Sequence, residues 1–246
     1  MIRLSVNVNK VATLRNARGG DSPSVAEAVR ACVAAGAPGI TVHPRADGRH
    51  ITPTDVQEIA QILAPCRDQV EYNLEGDPRP ELLARVRTVR PHQFTLVPVQ
   101  PGEVTSQAGW PTTTSVDVMR AIADEMRALG VRTSVFIDAT PVAVDWAHRI
   151  GADRIEIYTE PYARAFASGL AAARTVFATH VEVARRALDL GLGINAGHDL
   201  DLDNLDLYRT LPGLAEVSIG HALISRALFV GLDRVVGEYL ARLEAS

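Results

Sequence analysis

Several features that identify particular protein classes are absent from this 246-residue sequence. Its two cysteines, Cys32 and Cys66, lie in helical patterns without zinc-site or CxxC spacing, which predicts buried, reduced thiols. No apolar run approaches the roughly 20 residues that cross a bilayer, and the first ten residues contain no apolar signal core. We therefore expect a cytoplasmic protein that has no membrane partner.

Basic patches are also missing. The net charge is −4, and no block of basic residues interleaved with aromatic ones occurs, so nucleic acid is not an expected partner. Lysine itself is almost absent, because Lys10 is the only one among 25 lysine and arginine residues. Any Schiff base on a lysine of this protein must therefore use Lys10.

Strand-like runs alternate with amphipathic helical patterns along the whole chain. Several strands are apolar on consecutive residues, which is typical of parallel strands buried on both faces. Helical patterns begin at Ser24, at Thr52 with Pro53 in its first turn, at Ser115, Asp145 and Thr175, and at about Leu223. The predicted strands cover residues 3–9, 39–43, 70–75, 93–98, 132–138, 154–158, 191–195 and 216–220.

The eight predicted strands end in polar residues about 30 residues apart, which is the size of one βα unit. We therefore predict a single (β/α)8 barrel over residues 1–246, with a short extra helix within residues 159–173. A doubly wound open sheet is the alternative. Neither the GxGxxG nor the GK[ST] loop of nucleotide-binding sheets of that kind occurs.

The carboxyl ends of all barrel strands meet at one mouth, which is where ligands bind in this fold. The segment ITVHPRADGRHIT at residues 40–52 is the most informative of these strand ends, because four groups that can donate a proton or hold an anion follow one buried strand there. The residues that we expect at the mouth are Asn7, Asn9, Lys10, Arg15, Arg18, His43, Arg45, Arg49, His50, Glu75, Glu103, Thr105, Ser106, Asp138, Glu156, His198, Asp199, Gly220 and His221.

The predicted strand ends divide the seven histidines into two groups. His43, His50, His198 and His221 fall at strand ends, whereas His92, His148 and His180 fall elsewhere and are expected to be structural or solvated. Imidazoles and carboxylates that titrate near neutral pH indicate an acid–base site. No HxH or HExxH pattern occurs, so neither a metal nor another cofactor is expected.

The glycines of NAGHD and SIGHA predict the ligand type. They end strands 7 and 8, where barrels often bind phosphate through backbone N–H groups and a helix N-terminus. Lys10, Arg18 and Arg45 add cations elsewhere on the rim. We therefore expect more than one anionic group in the substrates.

Many motifs of the chain, in order and in register, resemble those of the pyridoxine 5′-phosphate synthase family. They are VNVNKVATLRNARGG, GITVHPRADGRHIT, YNLEG, LVP…EVTS, RIEIY, NAGH and IGHALISRA, which run from strand 1 to strand 8. The resemblance implies a (β/α)8 barrel, assembled as an octamer. It also implies condensation of 1-deoxy-D-xylulose 5-phosphate with 3-amino-2-oxopropyl phosphate to pyridoxine 5′-phosphate, phosphate and water, without a cofactor.

The same resemblance implies roles for individual residues. His43 and Glu75 match proton acceptors, His198 matches a proton donor, and Glu156 matches a carboxylate that stabilises a transition state. The implied aminoketone phosphate site comprises Asn7, Arg18, Gly220 and His221, and the implied deoxyxylulose phosphate site comprises Arg45, His50 and Thr105.

The sequence departs from the commoner family pattern at three places. Asn9-Lys10 replaces Asp-His, Asp199 replaces a glycine, and residues 99–101 are uncharged; the first change is typical of a branch of the family. Lys10 is expected to bind the deoxyxylulose phosphate. Asp199 would repel a phosphate unless it points away or pairs with a cation.

Two other functions fit the same residues. An aldolase or isomerase acting on a phosphorylated sugar or keto acid is one, and a Schiff-base aldolase would need Lys10 as its nucleophile. A phosphate-binding barrel without catalysis is the other, although binding alone has no need for so many proton-transfer groups.

Overall fold

The computed structural model of the protein describes residues 1–100 and 106–244. The strands are β1 Arg3–Asn7, β2 Gly39–Val42, β3 Glu71–Gly76, β4 Gln93–Leu96, β5 Arg132–Ile137, β6 Arg154–Tyr158, β7 Gly193–Gly197 and β8 Leu214–Ile219. Each strand pairs in parallel with the next, and β8 also pairs with β1, which closes the barrel. The predicted (β/α)8 fold is confirmed.

Helices follow the strands around the outside of this barrel. They are α1 Asn9–Asn16, α2 Val25–Ala34, α3 Pro53–Leu63, α4 Pro80–Val89, α5 Val116–Ala128, α6 Pro141–Arg149, α7 Glu160–Ala167, α8 Leu170–Asp189, α9 Leu205–Tyr208, α10 His221–Val230 and α11 Leu232–Glu244. Helix α7 is the short extra helix predicted after the sixth strand.

The start of α3 follows directly from its sequence. Thr52 Oγ1 accepts a hydrogen bond from the Asp55 N–H at 3.2 Å, and the Asp55 carboxylate accepts one from the Thr52 N–H at 2.7 Å. This reciprocal pair satisfies two N–H groups that have no partner within the helix. Pro53 occupies the first turn, where a missing N–H does no harm.

The end of the first strand differs from the prediction. Strand β1 ends at Asn7 rather than at residue 9, because the Asn9 N–H donates to Asn7 Oδ1 at 3.0 Å and turns the chain. Asn9 begins α1, so Lys10 lies in the first turn of a helix and not at the end of a strand.

Three helix boundaries also differ. The pattern predicted as one C-terminal helix forms two, because Gly231 adopts a left-handed φ of 88° between α10 and α11. Helix α6 begins at Pro141, four residues before the predicted start, after a cap in which Thr140 accepts from the Ala143 N–H. Helix α8 begins at Leu170 rather than at residue 175.

The interior of the barrel is more polar than the apolar strand runs suggested. Ser5 and Thr41 share a hydrogen bond of 2.6 Å, Asn73 donates to Thr41, and Thr95 donates to Asn73 at 2.9 Å. Arg132 donates from its Nε to Gln93 at 3.0 Å, lower in the same interior. Both faces of the strands are buried as predicted, but the inward face forms a hydrogen-bonded polar layer below the mouth.

Cys32 is buried, and Cys66, predicted to be buried as well, is only partly so; both are free thiols. In the part of the chain that the structure describes, no helix combines the length and apolar character needed to cross a membrane.

Candidate active site

The carboxyl ends of the strands open into a cavity of about 380 Å³. The predicted site residues that line it are Asn7, Asn9, Lys10, His43, Arg45, His50, Glu75, Glu156, His198, Asp199, Gly220 and His221. Arg18 is exposed beyond the end of α1 and does not line the cavity. Thr105 and Glu103, both expected at the mouth, lie outside the described residues. Asp138 instead accepts a hydrogen bond from the Gly109 N–H, and Arg15 forms an ion pair with Asp55 and does not line the cavity.

The deepest acid–base pair is formed by His43 and Glu75. Both side chains are only 9% exposed, and His43 Nδ1 lies 3.9 Å from Glu75 Oε2. Burial raises the pKa of Glu75 to about 8, and the charge of Glu216 deeper in the barrel adds to the rise. Burial lowers the pKa of His43 well below its usual value. At neutral pH the pair therefore holds a neutral imidazole beside a largely protonated carboxyl group.

Two neighbouring residues lie beside His43. Asn9 Oδ1 accepts a hydrogen bond from the His43 N–H at 2.9 Å, which ties the end of β2 to the start of α1. His50 lies 6.2 Å from His43 between ring centroids, and its Nδ1 accepts a hydrogen bond from the Ile51 N–H. Neutral His50 therefore carries its proton on Nε2, where it can donate to a bound oxygen.

His198 occupies the opposite wall of the mouth. Its ring centroid lies 4.9 Å from that of Phe136 and 5.3 Å from that of Tyr158. Burial among these rings lowers the pKa of His198 to about 4, so the imidazole is neutral at neutral pH. A buried histidine of this kind becomes a proton donor only when anionic ligands raise its pKa.

Glu156 lies against the backbone of the neighbouring strand. A Cβ atom added to Gly197 would lie 2.4 Å from Glu156 Oε1, so any side chain at residue 197 would force this carboxylate to move. Burial raises the pKa of Glu156 well above its usual value, and the charges of Glu75 and Glu216 contribute. In its protonated form, which this shift favours, Glu156 can donate a hydrogen bond to an oxygen of a bound ligand.

The ends of β7 and β8 form a second polar corner. Gly220 precedes helix α10, and His221 is its first residue, so the first N–H groups of this helix face the cavity. A Cβ on Gly220 would lie 3.1 Å from Asn7 Cβ, so glycine allows the two strand ends to approach closely. The carboxylate of Asp199 also lines this corner, within the electrostatic influence of His221 and Lys10.

The other three histidines are placed as predicted, away from the cavity. His180 Nδ1 lies 2.9 Å from the Tyr208 hydroxyl in the core, and His148 is exposed on α6. His92 accepts from the Tyr72 N–H at the opposite end of the barrel.

Arg49 and Ser106, both expected at the mouth, also line the cavity. The sequence analysis did not single out four other lining residues: Thr13, Leu200, Ser218 and Ala222. Of these, Thr13 had a sequence signal, because it lies one helical turn after Asn9. In the described residues, no group of three or more histidine, cysteine, aspartate or glutamate side chains could hold a metal ion.

The fold resembles that of many solved barrels. It superposes on the YdjI aldolase from Escherichia coli K12 with a TM-score of 0.62 at 13% identity, covering 99% of this chain and 89% of that chain. Phosphoribosylanthranilate isomerase from Thermotoga maritima gives a TM-score of 0.59 at 13% identity, with 99% of both chains covered. Likeness at such low identity shows the fold alone.

Sequence comparison is far more specific. Pyridoxine 5′-phosphate synthase of Bacteroides thetaiotaomicron is 50% identical over 240 residues, which cover 97% of this chain and 98% of that protein. The protein of the same name from Porphyromonas gingivalis is 47% identical over 244 residues, with 99% of both chains covered. The family model for pyridoxal phosphate biosynthesis protein PdxJ matches residues 4–245, and the chain therefore belongs to this family.

Proposed function

We propose that this protein is a pyridoxine 5′-phosphate synthase of vitamin B6 biosynthesis. It condenses 1-deoxy-D-xylulose 5-phosphate with 3-amino-2-oxopropyl phosphate and releases pyridoxine 5′-phosphate, phosphate and water. The observation that carries this proposal is the buried Glu75–His43 pair, which lies in one cavity with His198. The same cavity has one corner with cations, at Arg45, and one with backbone N–H groups, at Gly220. Membership of the family and the names of its close relatives support the same reaction.

The corner at Gly220 and His221 would hold the aminoketone phosphate. Backbone N–H groups at the start of α10 and the Asn7 amide offer hydrogen bonds to phosphate oxygens. The sequence analysis also placed Arg18 at this phosphate, but Arg18 is exposed outside the cavity. We therefore assign the phosphate to Asn7, Gly220 and His221 alone.

The corner at Arg45 and His50 would hold the deoxyxylulose phosphate. Arg45 is 6% exposed and its Nε lies 3.5 Å from Asp47, so its guanidinium is held in place before a ligand arrives. The Nε2–H of His50 and the ammonium group of Lys10 add donors beside it. Two anchored phosphates would turn an encounter of two substrates into a positioned reaction.

The side chains between these corners suit the chemistry. An amine must add to a ketone, lose water to give an imine, expel phosphate, and close an aromatic ring. Ionised Glu75, beside His43, would take protons during imine formation and phosphate loss, and His198 would donate to departing hydroxyl groups. Glu156 would stabilise charge that develops on an oxygen of the closing ring by hydrogen bonding to it. The substrate brings the amine, so no lysine imine is needed.

A direct assay tests this function. Purified protein mixed with both phosphorylated substrates should form pyridoxine 5′-phosphate, identified by mass spectrometry, and release one phosphate per product. Omission of either substrate is the control and should abolish product. Absence of product with both substrates present would contradict the proposal.

Lys10 is expected to bind substrate rather than to transfer protons. Burial lowers the pKa of His50 and raises that of Asp199, and the charge of Lys10 acts on both pKa values in the downward direction, so the ammonium group lies near both walls of the cavity. Lys10→Ala should raise the KM for deoxyxylulose phosphate by roughly 10- to 100-fold, the value of one charge-assisted hydrogen bond, and lower kcat much less. Lys10→Arg should restore part of the loss. Unchanged constants in Lys10→Ala would show that this lysine has no role in binding.

Gly197→Ala should damage catalysis without removing a functional side chain. The new methyl group would displace the Glu156 carboxylate, and a misplacement of about 1 Å can lower turnover by about 100-fold. Gly237→Ala is the matched control, because an added Cβ there meets nothing within 4 Å, and its kcat should equal that of the unmodified protein. Equal kcat values for the two variants would mean that Glu156 tolerates displacement.

We further propose that the protein works in the cytoplasm as a homo-oligomer, an octamer as the family resemblance implies. Light scattering on the purified protein should give a mass near eight times that of the 26.5 kDa chain. The mass of a single chain would contradict this assembly.

A further inference from the structure

We infer that Thr159 is a positioning residue for catalysis, whose hydroxyl group holds the backbone turn that directs the His198 imidazole into the cavity. The inference rests on the proposed function in one respect, namely that His198 is the proton donor. Thr159 itself does not line the cavity, and no role for it follows from the sequence motifs.

The contacts of Thr159 converge on the end of the neighbouring strand. Its side chain is fully buried directly after β6. The Thr159 N–H donates to the Gly197 carbonyl at 3.0 Å, and its hydroxyl lies 2.6 Å from the same oxygen. The hydroxyl also contacts the His198 carbonyl oxygen, so its single proton is shared between the peptide groups on the two sides of the His198 Cα.

The backbone at this point needs such support. His198 has a φ of 82° and Asp199 a φ of 58°, a left-handed conformation that residues with a side chain rarely adopt. Conformations of this kind persist only where the surroundings enforce them, and they concentrate at functional sites. Asn204 supports the next peptide group, because its Nδ2 donates to the Asp199 carbonyl at 3.0 Å.

The left-handed turn decides where the His198 ring lies. With this turn, the ring packs 4.9 Å from Phe136 and 5.3 Å from Tyr158 between centroids and still borders the cavity. An extended backbone at residue 198 would carry the ring away from these contacts. Tyr158 and Thr159, adjacent at the end of β6, therefore hold the ring and the backbone of the same residue.

Loss of the hydroxyl group alone provides the test. Thr159→Val keeps the shape of the side chain, and we expect kcat to fall by roughly 10- to 100-fold while both KM values change less than about twofold. Thr159→Ser keeps the hydroxyl and should restore most of kcat. Unchanged kcat in Thr159→Val, or no recovery in Thr159→Ser, would overturn the inference.

Thr133 offers a matched control. Its hydroxyl group is buried in β5 but has no hydrogen-bond partner among the described residues, so Thr133→Val removes a buried hydroxyl of the same kind without loss of a contact. Its kcat should stay at the unmodified value. A loss equal to that in Thr159→Val would mean that any buried Thr→Val change impairs the barrel. If Thr159→Val does not fold, Thr159→Ala carries the same expectations.

Two further measurements separate positioning from general damage. In a His198→Gln background, Thr159→Val should lower kcat no further, and an additional loss would contradict action through His198. NMR titration of the His198 ring needs no turnover. In Thr159→Val its pKa should rise from about 4 towards the usual value as the ring loosens and becomes hydrated, whereas in Thr133→Val it should not move. If the protein makes no pyridoxine 5′-phosphate, the proposed function fails, yet this titration still decides the inference.

Discussion

Replacement of Glu75 by glutamine should lower kcat for pyridoxine 5′-phosphate formation by roughly two to four orders of magnitude, the usual contribution of a positioned acid–base group. The amide keeps the size of the side chain beside His43 but cannot accept a proton. We expect the barrel to fold normally, because Glu75 belongs to the cavity wall. Steady-state kinetics with circular dichroism as the folding control measures this effect. Near-normal turnover in folded Glu75→Gln would remove Glu75 from the mechanism.

The pH dependence of kcat/KM tests more specifically than a loss of turnover whether Glu75 is the catalytic base. Its pKa is raised to about 8, mainly by burial, so the ionised base is scarce below that pH and abundant above it. In the unmodified protein kcat/KM should therefore rise as pH increases through about 8. Glu216→Gln removes a charge that raises this pKa, and the rise should move to lower pH. A profile that is the same in Glu216→Gln would contradict the assignment of the rise to Glu75.

His198→Gln should lower kcat by a similar two to four orders of magnitude, with the KM values nearly unchanged. Burial lowers the pKa of His198 to about 4, so the protonated donor is scarce at neutral pH. Two phosphate groups bring negative charge into the cavity and favour the imidazolium form. Binding of inorganic phosphate should therefore raise the pKa of His198, as measured by NMR titration. A pKa that phosphate leaves unchanged would count against His198 as the donor.

His43→Ala should also reduce turnover, because it removes the partner of Glu75 at 3.9 Å. We expect a loss within the same range of two to four orders of magnitude, with the fold retained. Comparison with Glu75→Gln and with the double variant shows whether the pair acts as a unit, in which case the losses will not add. Additive losses would assign the two residues to different proton transfers.

The sequence predicted the fold and most of the cavity for a single physical reason. Parallel strands buried on both faces place their polar ends at one mouth, so residues as distant as Asn7 and His221 could be grouped without coordinates. The helix that begins at Thr52 was equally predictable, because its capping box is local.

Other features depend on contacts between distant residues or on side-chain orientation. The polar interior, where Thr95 hydrogen-bonds Asn73, was missed. Polar and apolar residues alternate along β3 and β4, but alternation alone does not tell which face of a strand points into the barrel. Arg18 was expected at the mouth, but its position two residues after α1 leaves it exposed. The fit of Glu156 against Gly197 depends on the pairing of β6 with β7 in the folded barrel.

The left-handed turn at His198 shows the same limit. A histidine followed by an aspartate carries no turn signal comparable to that of glycine. The turn becomes visible only when the hydroxyl of Thr159, at the end of another strand, is seen on the carbonyls of residues 197 and 198. Long-range hydrogen bonds of this kind have no signature in local sequence.

The central claim is that acid–base groups between two phosphate sites close the ring without a covalent lysine intermediate. One measurement tests this claim most directly. The enzyme, in excess, is mixed with both substrates so that each molecule reacts only once. The sample is then divided, and one half is quenched in acid and the other in borohydride. We predict one pyridoxine 5′-phosphate and one phosphate per limiting substrate, with Lys10 unmodified in the intact-mass and peptide spectra. Absence of product, or a substrate reduced onto Lys10, would contradict the account.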